Sequence, residues 1–259
     1  MREQQNTIII TGAAGGIGTA FAHHFAQQHA NLMLVDLSES ALGALKESVL
    51  AGGDVKESAL QTCVADVSQA EQVREFVSQT KQAFGGVNGF LNNAGIEGTA
   101  AAITDYPQET FEQVMAVNVT GVWLGMKYVV PLMKESGGGS IVITSSVGGV
   151  MGSPGLSAYV TSKHAVIGIM RTAALECAAD NIRVNTIHPG MVDTGMAARI
   201  AENTGIGVEV FEEQVKAGTP LGRYAQPEDI VGMVSFLLSD AAAYCTGQQY
   251  FVDGGMGAA

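Results

Sequence analysis

A tyrosine and a lysine four residues apart, Tyr159 and Lys163, follow a serine pair, Ser145-Ser146, within the stretch SSVGGVMGSPGLSAYVTSK. On a helix that spacing is about one turn, so the two side chains share a face. An ammonium beside a phenol favours the phenolate, and is expected to draw the tyrosine below its ordinary pKa of about 10. A phenol so tuned can pass a proton to or from a substrate oxygen. The same spacing also occurs in ordinary helices with one buried aromatic and one solvated lysine, so the rest of the chain has to decide between the two.

A second chemical pattern stands near the start. The β-branched run Thr7–Thr11, TIIIT, reads as a buried strand and breaks into GAAGGIG, Gly12 to Gly18, before an alanine-rich helix to about residue 28. Strand, glycine turn and helix form a phosphate-binding geometry: glycines let the backbone approach a pyrophosphate, and free N–H groups at the helix start attract its charge. The next strand, residues 31–35, ends on Asp36, placed to accept hydrogen bonds from adenosine ribose hydroxyls and to repel a 2′-phosphate. No basic residue stands in the turn or in Leu37-Ser38-Glu39 after the aspartate. The expected cofactor is therefore NAD rather than NADP.

These residues need a scaffold, and the remaining pattern supplies one. Helices are expected at about 40–50, 69–84, 108–133 and 157–179, the last carrying Tyr159 and Lys163. Between them come strands at 59–65, ending at Asp66-Val67; 87–91, closed by Asn92-Asn93-Ala94-Gly95; Gly139–Thr144; 182–187, ended by Pro189-Gly190; and 248–252. Strands alternating with helices imply right-handed crossovers and a parallel sheet covered on both faces, with ligands beyond the strand carboxyl ends. Every motif named so far lies at such an end or on the helix that follows.

The chain has 259 residues, 47% of them hydrophobic, and neither a linker-like tract nor a solenoid repeat, so one α/β domain over 1–259 is expected. A formal net charge of -12 without a Lys/Arg cluster argues against nucleic acid and anionic membrane surfaces as partners. The opening MREQQNTIIITG lacks the apolar core of a signal peptide, and no segment is expected to span a membrane. Three scattered cysteines without CxxC spacing point to reduced thiols and a cytoplasmic protein. No metal site is expected: His23 and His24 are adjacent, and His29, His164 and His188 are scattered, which favours surface or packing roles.

TGxxxGxG at Thr11 to Gly18, NNAG at Asn92 to Gly95, Asn118 within VNVTG, Ser146, YxxxK at Tyr159 and Lys163, and Pro189-Gly190 together resemble the short-chain dehydrogenase/reductase family over essentially the whole chain. The resemblance implies a Rossmann-like, doubly wound, seven-stranded parallel sheet and reversible hydride transfer between a nicotinamide cofactor and an alcohol or carbonyl. By the same likeness Tyr159 is the general acid/base, Lys163 lowers its pKa and bonds the nicotinamide ribose, Ser146 holds the substrate oxygen, and Asn118 keeps a water in line with Lys163. Family spacing selects Ser146 over Ser145. The cofactor would be lined by Gly12, Gly16, Ile17 and Gly18 at the pyrophosphate, Asp36 at the adenosine ribose, Asp66 and Val67 at the adenine, and Asn93, Ala94 and Gly95 at the adjacent ribose. Beyond Pro189 and Gly190, Val192 and Thr194 would meet the carboxamide. Thr144, where many relatives carry another residue, is expected to have no chemical consequence. A homotetramer built through the two long helices and the last strand is also implied, with Val122, Trp123, Met126 and Val129, and Ile167, Met170 and Ala174, as apolar residues beyond the needs of the sheet.

The substrate side is less legible. Residues 191–221 read as an irregular lid with an apolar underside, including Met196, or as a plain surface helix pair. Ile96, Met151, Leu156 and Met191 would add apolar wall, with Glu97 the one ionisable neighbour. No basic residue is expected where an acidic substrate would need one, so a small neutral, hydrophobic or cyclic secondary alcohol or ketone is favoured. The alternatives are a 3-oxoacyl-carrier-protein type of carbonyl reductase, for which NADPH and a basic docking surface would be expected, and a non-catalytic nucleotide-binding protein on the same fold.

Overall fold

A computed structural model describes residues 6–258, the side chain of Thr204 excepted; residues 1–5 and 259 of the expected domain lie outside it. Seven strands form one parallel sheet: β1 (Thr7–Thr11), β2 (Asn31–Asp36), β3 (Leu60–Val64), β4 (Gly89–Asn92), β5 (Gly139–Thr144), β6 (Ile182–Pro189) and β7 (Gln249–Val252). Their order is β3-β2-β1-β4-β5-β6-β7. The direction of winding reverses between β1 and β4, which opens a crevice at their carboxyl ends.

Helices α1 (Gly16–Gln27), α2 (Glu39–Ala51), α3 (Ala70–Phe84), α4 (Gln108–Met115), α5 (Gly121–Glu135), α6 (Ser157–Cys177), α7 (Gly195–Thr204), α8 (Val208–Gly218) and α9 (Pro227–Leu238) complete the chain. Period-two side-chain alternation divides the sheet between two cores. Ile8, Ile10, Leu32 and Leu34 face α1, α2 and α9, packing with Phe21, Phe25, Leu42, Ile230 and Val234. Ile9, Met33 and Val35 face the other way, into Phe76, Val129, Met133, Val166 and Met170 of α3, α5 and α6. Strands buried on both faces must read as unbroken apolar runs, as TIIIT and NLMLV do.

Four expectations change in whole or in part. The helix over 108–133 is interrupted by a π-helical turn, Ala116–Thr120, which contains Asn118. The segment 191–221 holds a helix pair, as one of its two readings had it, and is not irregular: α7 and α8 occupy most of it. Contrary to expectation, the run Gln108–Glu135 is long and apolar enough to cross a membrane; its apolar side is taken up by packing of α5 against α3, β4 and β5. The residues expected to drive assembly are also largely spoken for: Val122, Met126, Val129, Ile167, Met170 and Ala174 are buried within the chain, and only Trp123 stands half exposed.

Helix α9 was not expected from the sequence. Its start is fixed by Pro227 in the first turn, where a missing N–H costs nothing, and by Asp229. The Asp229 carboxylate accepts from the Gln226 N–H at 2.7 Å and from Arg223 at 2.6 and 3.0 Å. The Arg223 guanidinium first, then that N–H, holds its pKa below the usual carboxylate range. We expect Asp229→Ala to lower stability by about 1 kcal/mol, read as a lower urea midpoint at unchanged slope. Because the native pKa is depressed, the difference between the two proteins should close as pH falls through the carboxylate range.

Candidate active site

The turn after β1 has the shape a dinucleotide needs. Gly12 has φ +63°, and a Cβ there would fall 2.9 Å from Ala94 Cα, while one at Gly18 would fall 2.1 Å from the Gly12 carbonyl oxygen. Only glycine allows helix, turn and the Asn93-Ala94 segment to approach so closely. Gly16, Ile17 and Gly18 form the first turn of α1, with its free N–H groups. At the tip of β2 the Asp36 carboxylate accepts from the Ala14 N–H at 2.9 Å and the Leu37 N–H at 2.8 Å. Two oxygens so held keep lone pairs for the vicinal hydroxyls of a ribose. The residues present therefore fit a dinucleotide without a 2′-phosphate.

Further along the crevice, Asp66 accepts from the Ser68 N–H and hydroxyl, and Val67 packs against Gly121 at the start of α5. Asn93 ties the strand ends together: its amide nitrogen lies 3.2 Å from the Thr11 carbonyl, and its amide oxygen accepts from the Thr144 hydroxyl at 3.0 Å. Thr144 is thus not inconsequential. Its side chain orients Asn93 and its carbonyl takes the Lys163 ammonium at 2.8 Å.

The four side chains singled out for chemistry converge. Asn118 is buried; its amide oxygen accepts from the Ile96 N–H at 2.8 Å and its nitrogen reaches the Ile96 carbonyl and the Ser162 hydroxyl, both at 2.9 Å. The amide is therefore fixed by partners across the crevice, with one lone pair of its oxygen left over. A π turn leaves the local backbone out of regular i→i+4 pairing, a feature frequent at functional sites. A Cβ at Gly95 would lie 3.3 Å from Asn118 Oδ1 and 3.4 Å from Lys163 Nζ, so both groups border that glycine. Lys163 Nζ stands 5.5 Å from the Tyr159 ring centroid. The Ser146 hydroxyl is near enough to the Tyr159 phenol to oppose the rise of its pKa, and it accepts from the Gly148 N–H at 3.1 Å. Ser145 is occupied elsewhere, donating to the Lys163 carbonyl at 2.9 Å.

Electrostatics depart from expectation. Burial pushes the Tyr159 phenol above its ordinary pKa; the Ser146 hydroxyl acts against this and the Glu97 carboxylate with it. Lys163 does not dominate, because burial also destabilises its own charge and brings it down to about 8. The expected lowering of the tyrosine does not come from the protein's own groups.

Pro189 and Gly190 end β6 beside β7, the Gly190 N–H donating to the Val252 carbonyl at 3.1 Å. Val192 is buried and bridges to Ala225, and Thr194 leans on the glycine turn: a Cβ at Gly16 would fall 2.5 Å from Thr194 Cγ2. Of the expected substrate wall, Met151 is exposed, and Leu156, Met191 and Met196 are partly buried. Met191 lines a cavity of about 170 Å³ with Gly190, Thr219, Leu221 and Val252, which includes none of the four convergent residues. A basic residue does reach this region, against expectation. Arg199 of α7 grips buried Glu97 through both carboxylate oxygens, its Nε on one and Nη2 at 3.3 Å on the other.

A family model described as enoyl-(acyl carrier protein) reductase matches residues 12–257. Levodione reductase of Leifsonia aquatica is 38% identical, covering 100% of this chain and 96% of its own. A crystal structure of levodione reductase superposes with a TM-score of 0.94 at 37% identity, covering 98% of each chain. The 2,5-dichloro-2,5-cyclohexadiene-1,4-diol dehydrogenase of Sphingobium indicum is 39% identical, with 96% of each chain covered. An NAD⁺-bound xylitol dehydrogenase gives a TM-score of 0.93 at 35% identity, covering 98% of this chain and 100% of that one. The chain belongs to the short-chain dehydrogenase/reductase family.

The lysine makes a testable claim. With a native pKa of about 8 against about 10.5 unfolded, the unfolded chain binds more protons between those values, so this group makes stability rise with pH there. The burial penalty below pH 8 is ~3 kcal/mol. Tyr159 acts oppositely only above about 10, its ordinary pKa. Urea unfolding at pH 7 to 10 should show the rise in the unmodified protein and lose it in Lys163→Met.

Proposed function

We propose that the protein is an NAD-dependent dehydrogenase that oxidises a small neutral secondary alcohol, cyclic substrates first, and runs reversibly as a ketone reductase. The observation that carries this reading is the convergence of Ser146, Tyr159 and Lys163 at the crevice whose other end holds Asp36 and the glycine turn. Bound there, NAD supplies the acceptor for the hydride that leaves the alcohol carbon. Ser146 holds the alcohol oxygen, and Tyr159 removes its proton as the carbonyl forms. Lys163 stabilises the phenolate and reaches the nicotinamide ribose, while Asn118 at the π turn keeps a water in line for relay to solvent. Asp66 and Val67 flank the adenine, Asn93 to Gly95 the adjacent ribose, and Pro189, Gly190, Val192 and Thr194 the nicotinamide end. Burial alone would keep Tyr159 protonated at neutral pH, and Lys163 is the group of this chain placed to favour the phenolate.

Helices α7 and α8 act as the lid, with Met151, Leu156, Met191 and Met196 toward the substrate. The Glu97–Arg199 pair supports this, since it joins α7 to the loop after β4. The reading includes a homotetramer in the cytoplasm; half-exposed Trp123 on α5, exposed Leu175 on α6 and Phe251 on β7 support the first, and three free cysteines the second. A second reading, a reductase of acyl-carrier-protein thioesters, is favoured by the description of the matching family model. It fits less well with Asp36 and a net charge of -12 facing an acidic carrier.

A panel of cyclohexanol, a cyclohexanediol, xylitol and the matching ketones, assayed with NAD(H) and NADP(H) in turn, tests the reading. Turnover with NADP comparable to NAD would overturn the assignment of Asp36, and Asp36→Ala should narrow the NAD preference by at least tenfold. Tyr159→Phe should lower kcat by at least a thousandfold with the NAD dissociation constant within a few fold of the original. Light scattering should give a tetrameric mass; a monomer would refute the assembly.

A further inference from the structure

His188 stood among the residues expected to pack or face solvent. It is fully buried, and its ring carries two specific contacts: Nδ1 lies 2.8 Å from the Ser146 carbonyl oxygen and Nε2 lies 2.9 Å from the Thr186 hydroxyl. The ring stacks on Phe251 of β7, centroids 4.8 Å apart and planes 28° from parallel. A carbonyl can only accept, so Nδ1 carries the proton. Burial, the largest influence on His188, lowers its pKa and keeps the ring neutral. Nε2 is then an acceptor, and the Thr186 hydroxyl, two residues back on the same face of β6, donates to it.

The Ser146 carbonyl lies just beyond the sheet. Parallel pairing of β5 with β6 runs to Thr144 opposite Ile187, and the Ser145 N–H still donates to the Ile187 carbonyl at 2.9 Å. The next donor from β6 in that ladder would be the nitrogen of residue 189, which would serve the Ser145 carbonyl, and proline has no N–H. Main-chain pairing with β6 therefore ends at Ser145. The Ser146 carbonyl takes the His188 imidazole instead, and also accepts from the Gly149 N–H at 2.8 Å. The Ser146 peptide is thereby clamped, and its hydroxyl oxygen, which accepts from the Gly148 N–H at 3.1 Å, stays on the Tyr159 side of the crevice.

We propose that His188 is a positioning residue for the reaction, setting the Ser146 hydroxyl against the substrate oxygen and acting through Ser146 alone. This rests on the reading of Ser146 given above. With cyclohexanol, or the panel alcohol that turns over fastest, and NAD, His188→Leu should lower kcat tenfold to a hundredfold, with the NAD dissociation constant by calorimetry within twofold. His188→Asn, whose amide nitrogen can stand where Nδ1 stood, should recover most of that loss. In a Ser146→Ala background, assayed at high enzyme concentration, adding His188→Leu should cost nothing more, because the interaction it serves is gone. If the two losses multiply, or if His188→Leu turns over like the original, the inference falls. A Ser146→Ala protein with original turnover overturns the reading of Ser146 and the inference with it. Ser146→Ala inactive beside a fully active His188→Leu overturns the inference alone. Should His188→Leu fail to fold, Thr186→Val removes the donor to Nε2; a severalfold loss of kcat that vanishes in the Ser146→Ala background is expected, and no loss refutes the proposal.

Discussion

An ammonium kept out of water is the constraint on which this crevice turns. Lys163 is almost wholly buried, and withdrawing its charge from solvent costs several kcal/mol unless oxygen dipoles replace the lost hydration. The Thr144 carbonyl at the end of β5 supplies one, and the Asn118 amide oxygen stands nearby over Gly95. Because these groups come from β5, the π turn before α5 and the loop after β4, they assemble only when the sheet is in register. The parallel sheet is thus what makes a lysine tolerable beside a tyrosine. The incompleteness of its solvation, visible in a pKa near 8, keeps that charge available to a neighbouring oxyanion.

A second dependence runs through side chains that carry no charge. Asn93, Asn118, Thr144 and His188 each bond main-chain or amide groups of a different element, so together they stitch the ends of β1, β4, β5 and β6. Loops at the carboxyl edge of a parallel sheet have no ladder of their own, and their buried peptide groups must find other partners. Amides and an imidazole serve because they can donate and accept at once. Precision of the site is therefore bought from polar side chains rather than from backbone pairing.

Much of this was legible in the sequence, and what was not has physical causes. The strands of the sheet were placed within about two residues because apolar runs bounded by glycine or asparagine leave little choice. The glycine turn and Asp36 were legible because each depends on backbone and tip position alone. Helix α9 was passed over although Gln226-Pro227-Glu228-Asp229 opens it with proline and acidic residues, a helix start signal. Asn118 could be marked by pattern, yet its π turn could not, since a one-residue widening of a helix leaves no periodic trace. His188 and Arg199 were missed for a common reason. Their meaning lies in partners 42 and 102 residues away, Ser146 and Glu97, which only the fold brings together. In the chain alone the tyrosine pKa lies above its ordinary value, because a sequence shows a neighbouring lysine but not how heavily burial weighs on both groups.

Arg199 bears on what the site can accept. A guanidinium at the mouth of a substrate crevice reads at first as an anchor for acids. Here the Nε–Nη2 edge is taken by Glu97, whose carboxylate is buried while the arginine is largely exposed. An anionic substrate that took this edge would displace that carboxylate, leaving a buried charge unpaired at a cost of about 3–5 kcal/mol. It would also meet the same carboxylate that already raises the Tyr159 pKa, which strengthens with every added negative charge in the crevice. A neutral alcohol or ketone meets neither obstacle. The pair therefore selects against acids by being satisfied, and its arginine, instead of recruiting charge, is left to hold α7 against the loop that follows β4.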